Sequence, residues 1–111
     1  MINIKFILWT HQINKKSETY PVRLRVTHNR KTKYFSTNLT AKLNQWSDEA
    51  QRFIESKKVC PNYNEYNVTL TKMLARANDI VKKFDEDEYN WTLEDFEVKF
   101  LGDSRETPHL V

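Results

Sequence analysis

Apolar and polar positions alternate most regularly in residues 20–27, where Val22, Leu24 and Val26 interleave with Arg23, Arg25 and Thr27. A period of two marks a half-buried strand with one apolar and one polar face. Tyr20-Pro21 opens that strand, a position where proline is tolerated. Upstream, residues 3–10 are rich in Ile and aromatics over a length that suits a strand, and the polar residues 11–19, with Lys15, Lys16 and Ser17, read as a loop. Downstream, His28-Asn29-Arg30-Lys31-Thr32 is a polar turn leading into a second β-prone run, residues 33–37, so the two runs form a hairpin. Asn29 suits a positive φ and Arg30 suits it less, which leaves a two-residue and a four-residue loop both open.

Residues 38–61 are polar, anchored by Leu39, Leu43, Trp46, Phe53 and Ile54, and read as a long irregular loop in which Ser47-Asp48-Glu49-Ala50 starts a short helical turn. From Asn62 the period changes. Tyr66, Leu70, Met73, Leu74, Ala77, Ile80, Val81 and Phe84 recur at three- and four-residue steps, the apolar stripe of a long helix. Asn62 and Glu65 form a capping pair at its start, and the acidic run 85–88 ends it. A second, short helix is signalled by Thr92 as N-cap, Glu94 and Asp95 in its first turn, and a Trp91–Phe96 staple; Gly102 closes it. The expected fold is therefore α+β, a three-stranded antiparallel sheet packed against one long C-terminal helix, plus the short second helix. Residues 1–102 make one domain, and residues 103–111 form a linker.

A length of 111 residues suits one modest core. No stretch approaches the roughly 20 apolar residues of a membrane helix, and residues 2–9 lack the marks of a signal peptide. The expectation is a cytoplasmic protein without a membrane partner. Cys60 is the single cysteine and reads as a small apolar residue; His11, His28 and His109 are scattered, so no metal and no cofactor is assigned. The net charge of +3 hides an asymmetry. Residues 1–60 carry twelve Lys or Arg against four acids, and residues 61–111 carry six against eleven. Such separation is an electrostatic footprint of nucleic-acid binding, although charge runs are also ordinary solvated faces.

For either even-numbered loop, Phe35 joins the apolar face of Val22, Leu24 and Val26, which places Tyr34 and Ser36 with Arg23, Arg25 and Thr27 on the other. The first strand adds Lys5 and Trp9 to that face, turns Ile4, Phe6 and Leu8 inward, and leaves Ile7 as an exposed apolar residue. A basic, hydroxyl-bearing ribbon of this kind fits a DNA major groove, with Arg to guanine, Thr and Ser to base edges, and Lys15, Lys16, Lys31 and Lys33 to the phosphate walls. Arg30 in the turn completes the candidate set. The same pattern equally describes a sheet with one solvated face, or a module that binds another protein. Trp46, Trp91, Tyr63 and Tyr66 read as core residues rather than base-stacking platforms. The carboxylates of residues 85–88 point in different directions and make no acid/base pair, so neither an enzyme activity nor a small-molecule substrate is expected.

Residues 20–27, the short polar turn, Lys33-Tyr34-Phe35-Ser36-Thr37-Asn38-Leu39 and Trp46 resemble the arm DNA-binding domains that begin many tyrosine recombinases, especially integrases of mobile elements in Bacteroides-like bacteria. The resemblance covers residues 1 to about 101. It implies a sheet that enters the major groove of double-stranded DNA at arm-type sites, with Arg23, Arg25 and Thr27 on the reading strand and Tyr34 and Ser36 on its partner. It also implies that core-site binding and catalysis belong to domains beyond residue 111, through which other integrase protomers are met. Two positions depart from the family pattern: Asn29-Arg30 stands where Gly is frequent in the turn, and Thr37-Asn38 where Thr-Gly is frequent.

Overall fold

The alternation of residues 22–27 is realised in β2 (Tyr20–His28), the central strand of an antiparallel sheet in the order β1 (Ile2–Leu8), β2, β3 (Lys31–Ala41). The computed structural model describes residues 2–109, and the side chains of residues 2–102. His28 pairs with Lys31, so the hairpin loop is the two residues Asn29 and Arg30, and Leu24 faces Phe35. Both loop residues have positive φ, 52° and 68°, the type I′ geometry whose twist matches that of the flanking strands. Arg30 thus adopts a left-handed backbone that disfavours a Cβ.

β3 is longer than the expected run 33–37 because a bulge lets it continue. Arg23 faces Ser36 while Val22 faces Leu39, so Thr37 and Asn38 are extra on β3. A slip of two residues preserves which face each side chain takes, and Leu39 and Ala41 remain on the core side. Asn38 accommodates the bulge at φ 62°, the same left-handed region that a Gly would occupy without cost. The buried Thr37 hydroxyl donates to the Val22 carbonyl at 2.7 Å and accepts the Leu39 N–H at 3.1 Å, which satisfies the bulge from within.

Residues 38–61 are more ordered than a loop. After a 3₁₀ turn at Leu43–Gln45, β4 (Trp46–Ser47) and β5 (Arg52–Phe53) form a small hairpin, and the Ser-Asp-Glu-Ala segment is its turn rather than a helical one. The Gln51 N–H donates to the Ser47 carbonyl and the Ala50 N–H to the Ser47 hydroxyl, and Gln51 takes φ 57°. The hairpin is docked by buried Asn67, whose amide accepts the Phe53 N–H at 2.9 Å and donates to the Phe53 carbonyl at 3.1 Å. The side-chain amide stands in for a further strand.

The long helix α1 (Tyr63–Glu86) carries the expected stripe, with Leu70, Ala77 and Phe84 buried. Asn62 occupies the N-cap position without capping: its ψ of 23° is not the extended value a capping side chain needs. The helix ends inside the acidic run through backbone geometry. Glu88 takes φ 54°, its N–H donates to the Asp85 carbonyl, and the Tyr89 N–H donates to the Phe84 carbonyl, a Schellman closure sealed by the Phe84–Tyr89 ring contact.

α2 (Leu93–His109) begins as expected. Thr92 Oγ1 accepts the Asp95 N–H, Asp95 Oδ2 accepts the Thr92 N–H, and Trp91 packs on Phe96. The Thr92 N–H donating to the Asp95 carboxylate holds its pKa below the usual value, and the Asp95 charge raises that of the Tyr89 phenol. With the folded pKa depressed, this contribution to stability is present above the ordinary Asp range and is lost as pH falls through it. The helix does not stop at Gly102 but runs on to His109. Gly102 takes no left-handed φ, so it weakens the helix locally without terminating it. The expected linker residues therefore begin within a helix. Nor is α2 an appendage: Phe96 and Phe100 pack against Phe35 with ring centroids 5.7 and 5.2 Å away, so both helices cover the sheet. Arg76 of α1 ties them together by donating to the Phe100 carbonyl while lying over the Phe100 ring. Cys60 is buried, and burial pushes its thiol pKa up. Among the described residues, no helix is long and apolar enough to cross a membrane.

Two substitutions test these devices. Asn67→Ala leaves a buried N–H and a buried carbonyl of Phe53 unpaired and is expected to cost about 2–3 kcal/mol in chemical denaturation; an unchanged midpoint would mean that the hairpin docks without it. Glu88→Gly relieves the left-handed backbone at the end of α1 and should raise stability by about 1 kcal/mol, read from the same curves.

Candidate nucleic-acid interface

Because β2 is paired on both sides, its register aligns the outward residues of three strands into rungs. Asn3, Thr27 and Thr32 form one, Lys5, Arg25 and Tyr34 the next, and Ile7, Arg23 and Ser36 the third. The inward residues between them, Phe6, Leu24, Val26 and Phe35, are buried against the helices, which leaves the outer face uncovered by either helix. Lys5, Arg23, Arg25, Thr27, Tyr34 and Ser36 thus share one surface. Thr32 joins it, which the sequence pattern could have revealed only once the two-residue loop was known.

The electrostatics of this face are one-sided. β1, β2 and β3 contain no Asp or Glu, and Lys5 stands directly across from Arg25. Like charges placed directly opposite on a sheet are destabilising. Arg25 Nε is buried and has no hydrogen-bond partner among the described residues. Arg23 lies over the indole of Trp9, 4.9 Å from its centroid, and the edge of Tyr34 meets Trp9 at 4.8 Å. The hydroxyls are partly engaged: Thr27 and Thr32 bond to each other at 3.0 Å, and Ser36 donates to Asn38 Oδ1 while accepting the Asn38 N–H.

The remaining candidates divide. Arg30 and Lys31 are exposed at the hairpin tip, and Lys15 and Lys16 are exposed in the loop at the opposite end of the sheet. That loop is shaped by Asn14, whose side chain accepts the Lys16 and Ser17 N–H groups, and by a bridge between Asn14 and Thr19. Lys33 does not share the surface with the others. It pairs with Val26 on the core side, where its ammonium lies 3.1 Å from Glu97 and 3.9 Å from Glu94 of α2. Two-residue periodicity places Lys33 with Phe35, and the ion pairs show what it does there: it joins the sheet to α2. His28 has a similar structural use, stacked on Trp91 at 3.7 Å with Nε2 donating to the Trp91 carbonyl. Trp46 and Trp91 are buried, and Tyr63 and Tyr66 pack against the core.

The feature that sequence reading passed over is the engagement of Trp9. Its parity put it on this face, but nothing in the pattern signalled that it would carry Arg23. Among the described residues, no group of three or more His, Cys, Asp or Glu is arranged to hold a metal ion.

No curated protein and no solved structure matches the chain. The family model described as an arm DNA-binding domain matches residues 6–97, a span that takes in most of β1, all of β2 and β3, the small hairpin, α1 and the start of α2. With that span covering most of its length and both the basic sheet face and its helical backing, the chain belongs to the arm DNA-binding domain family.

Proposed function

We propose that this chain is the arm-type DNA-binding module of a tyrosine-recombinase integrase, that it reads double-stranded DNA by laying the outer face of its sheet in the major groove, and that it takes no part in strand cleavage. Membership of the arm DNA-binding domain family supports DNA as the partner. The observation that carries the reading of the face is the cluster of Lys5, Arg25 and Arg23 on β1 and β2, in a sheet whose three strands carry no acid; the directly opposed Lys5 and Arg25 cost stability in the free protein and are relieved by a polyanion. Neighbouring strands lie about 4.8 Å apart, so three of them span about 10 Å, within a groove about 12 Å wide.

In this reading Arg23 and Arg25 donate to base edges, with guanine as the natural bidentate acceptor, while Lys15, Lys16, Arg30 and Lys31, at the two ends of the sheet, engage phosphates. Lys33 is left out, since Glu97 already neutralises it. Strand cleavage is assigned to another part of a longer protein. Of the five tyrosines, Tyr89 has its phenol pKa raised by the nearby Asp95 charge, and Tyr63 and Tyr66 are packed against the core.

Selection from a randomised duplex library, followed by binding isotherms at several salt concentrations, tests the assignment. Arg23→Ala and Arg25→Ala should each cost about 1–3 kcal/mol on the selected duplex and relax preference at one base pair. Lys31→Ala should weaken all sequences alike and reduce the slope of log affinity against log salt by about 0.9. Lys33→Ala should leave both quantities unchanged. If both arginine variants remain folded and bind as tightly as the parent, the outer face is not the reading surface.

A further inference from the structure

We infer that Trp9 is a positioning residue that presets Arg23 for base recognition and so makes the two outward arginines of β2 unequal. The inference rests on the DNA-reading role proposed for the sheet face and adds a specificity determinant to it. Trp9 follows the last residue of β1, and its backbone N–H donates to the Pro21 carbonyl at 2.7 Å, so the chain is pinned next to the start of β2. Two rings hold its indole in steep, T-shaped contacts, Tyr34 at 4.8 Å and His11 at 5.0 Å, each at an interplanar angle of 62°. Held in this way, the ring carries Arg23, whose guanidinium carbon lies 4.9 Å from the centroid. Arg25, on the next rung between Lys5 and Tyr34, has neither such a ring nor an acceptor for its Nε among the described residues.

A guanidinium stacked on an aromatic face keeps its N–H fork free in the plane, since the ring quadrupole attracts the cation without consuming a donor. A free arginine must give up the rotamer freedom of a long side chain when it docks, and the indole has already taken part of that freedom away. Arg23 therefore enters the groove preorganised by the indole, a support that Arg25 lacks. Trp9 carries no charge, so its contribution is specific to the base that Arg23 reads and leaves counterion release unchanged. This gives Trp9 a signature that neither a phosphate contact nor a packing residue shares.

The experiment compares Trp9→Leu, which keeps apolar bulk but removes the π face, with Trp9→Phe, which keeps a π face. In the free protein, NMR should show the Arg23 side-chain protons shifted upfield by the indole ring current, an effect that Trp9→Leu abolishes. Random-coil shifts in the parent would overturn the inference whatever the variants do. On the duplex selected by the parent, Trp9→Leu should bind about two- to fivefold more weakly, relax the same base pair as Arg23→Ala, add nothing in the Arg23→Ala background and leave the salt slope unaltered. Trp9→Phe should restore most of the affinity and the base preference. A Trp9→Leu profile identical to the parent's, a loss additive with Arg23→Ala, or an equal loss in Trp9→Phe would each overturn it. A parent that enriches no sequence removes the DNA-reading role itself, and Trp9's part in it, even if the ring-current shift is present.

Discussion

The rest of the structure depends on the two-sided character of β2. As the central strand it must pair along both edges, and its alternating residues must bury Val22, Leu24 and Val26 on one side while holding Arg23 and Arg25 on the other. A slip of a single residue would drive two arginines into the core and three aliphatic side chains into water, so the register is strongly enforced. Everything on the outer face inherits its position from that register, including Lys5 and Ile7 from β1 and Tyr34 and Ser36 from β3. The helices then cover one side and leave the other open to a partner.

The chain meets the geometric demands of this sheet with almost no glycine. Gly102 is its single glycine, yet Glu18, Asn29, Arg30, Asn38, Gln51 and Glu88 all take positive φ. Three of these serve the main sheet: Asn29 and Arg30 close its hairpin loop, and Asn38 opens the bulge that carries β3 on to Ala41. Asn is suited to the task, while Arg30 and Glu88 bear a steric cost. At the hairpin tip that cost puts a cation where a glycine would contribute none, as the phosphate contact proposed for Arg30 requires.

Charge is divided by face rather than only by half of the chain. Acids of α2 engage Lys33, the basic residue that projects toward the core side from the middle of β3, and the acidic run at the end of α1 is drawn into a Schellman closure. No acid lies on the three strands, and among the described residues no acid forms an ion pair with Lys5, Arg23 or Arg25. The asymmetry counted along the sequence thus becomes a polarity through the thickness of the domain, with the basic side facing away from the helices.

By itself the sequence determined the α+β class, the two-faced central strand, the stripe of α1 and the Thr92 capping box, because each is a local periodicity or a contact between residues three to five apart. The same locality placed Arg23, Arg25, Tyr34 and Ser36 on one surface before any coordinates were known, and a resemblance of residue types pointed to the family that the match over residues 6–97 establishes. Tertiary structure alone decided the rest. The small hairpin in residues 46–53 exists because Asn67, on a helix 14 residues away, supplies its missing backbone partner. The helix persists past Gly102 although a glycine signal suggested its end. Strand parity already turned Lys33 to the side of Phe35, but its use there came from Glu94 and Glu97, more than sixty residues along the chain. Trp9 met Arg23 only when β1 and β2 aligned. For the hairpin, Lys33 and Trp9 the deciding contact joins residues distant in sequence, and such contacts leave no periodic trace in the strand or helix that makes them.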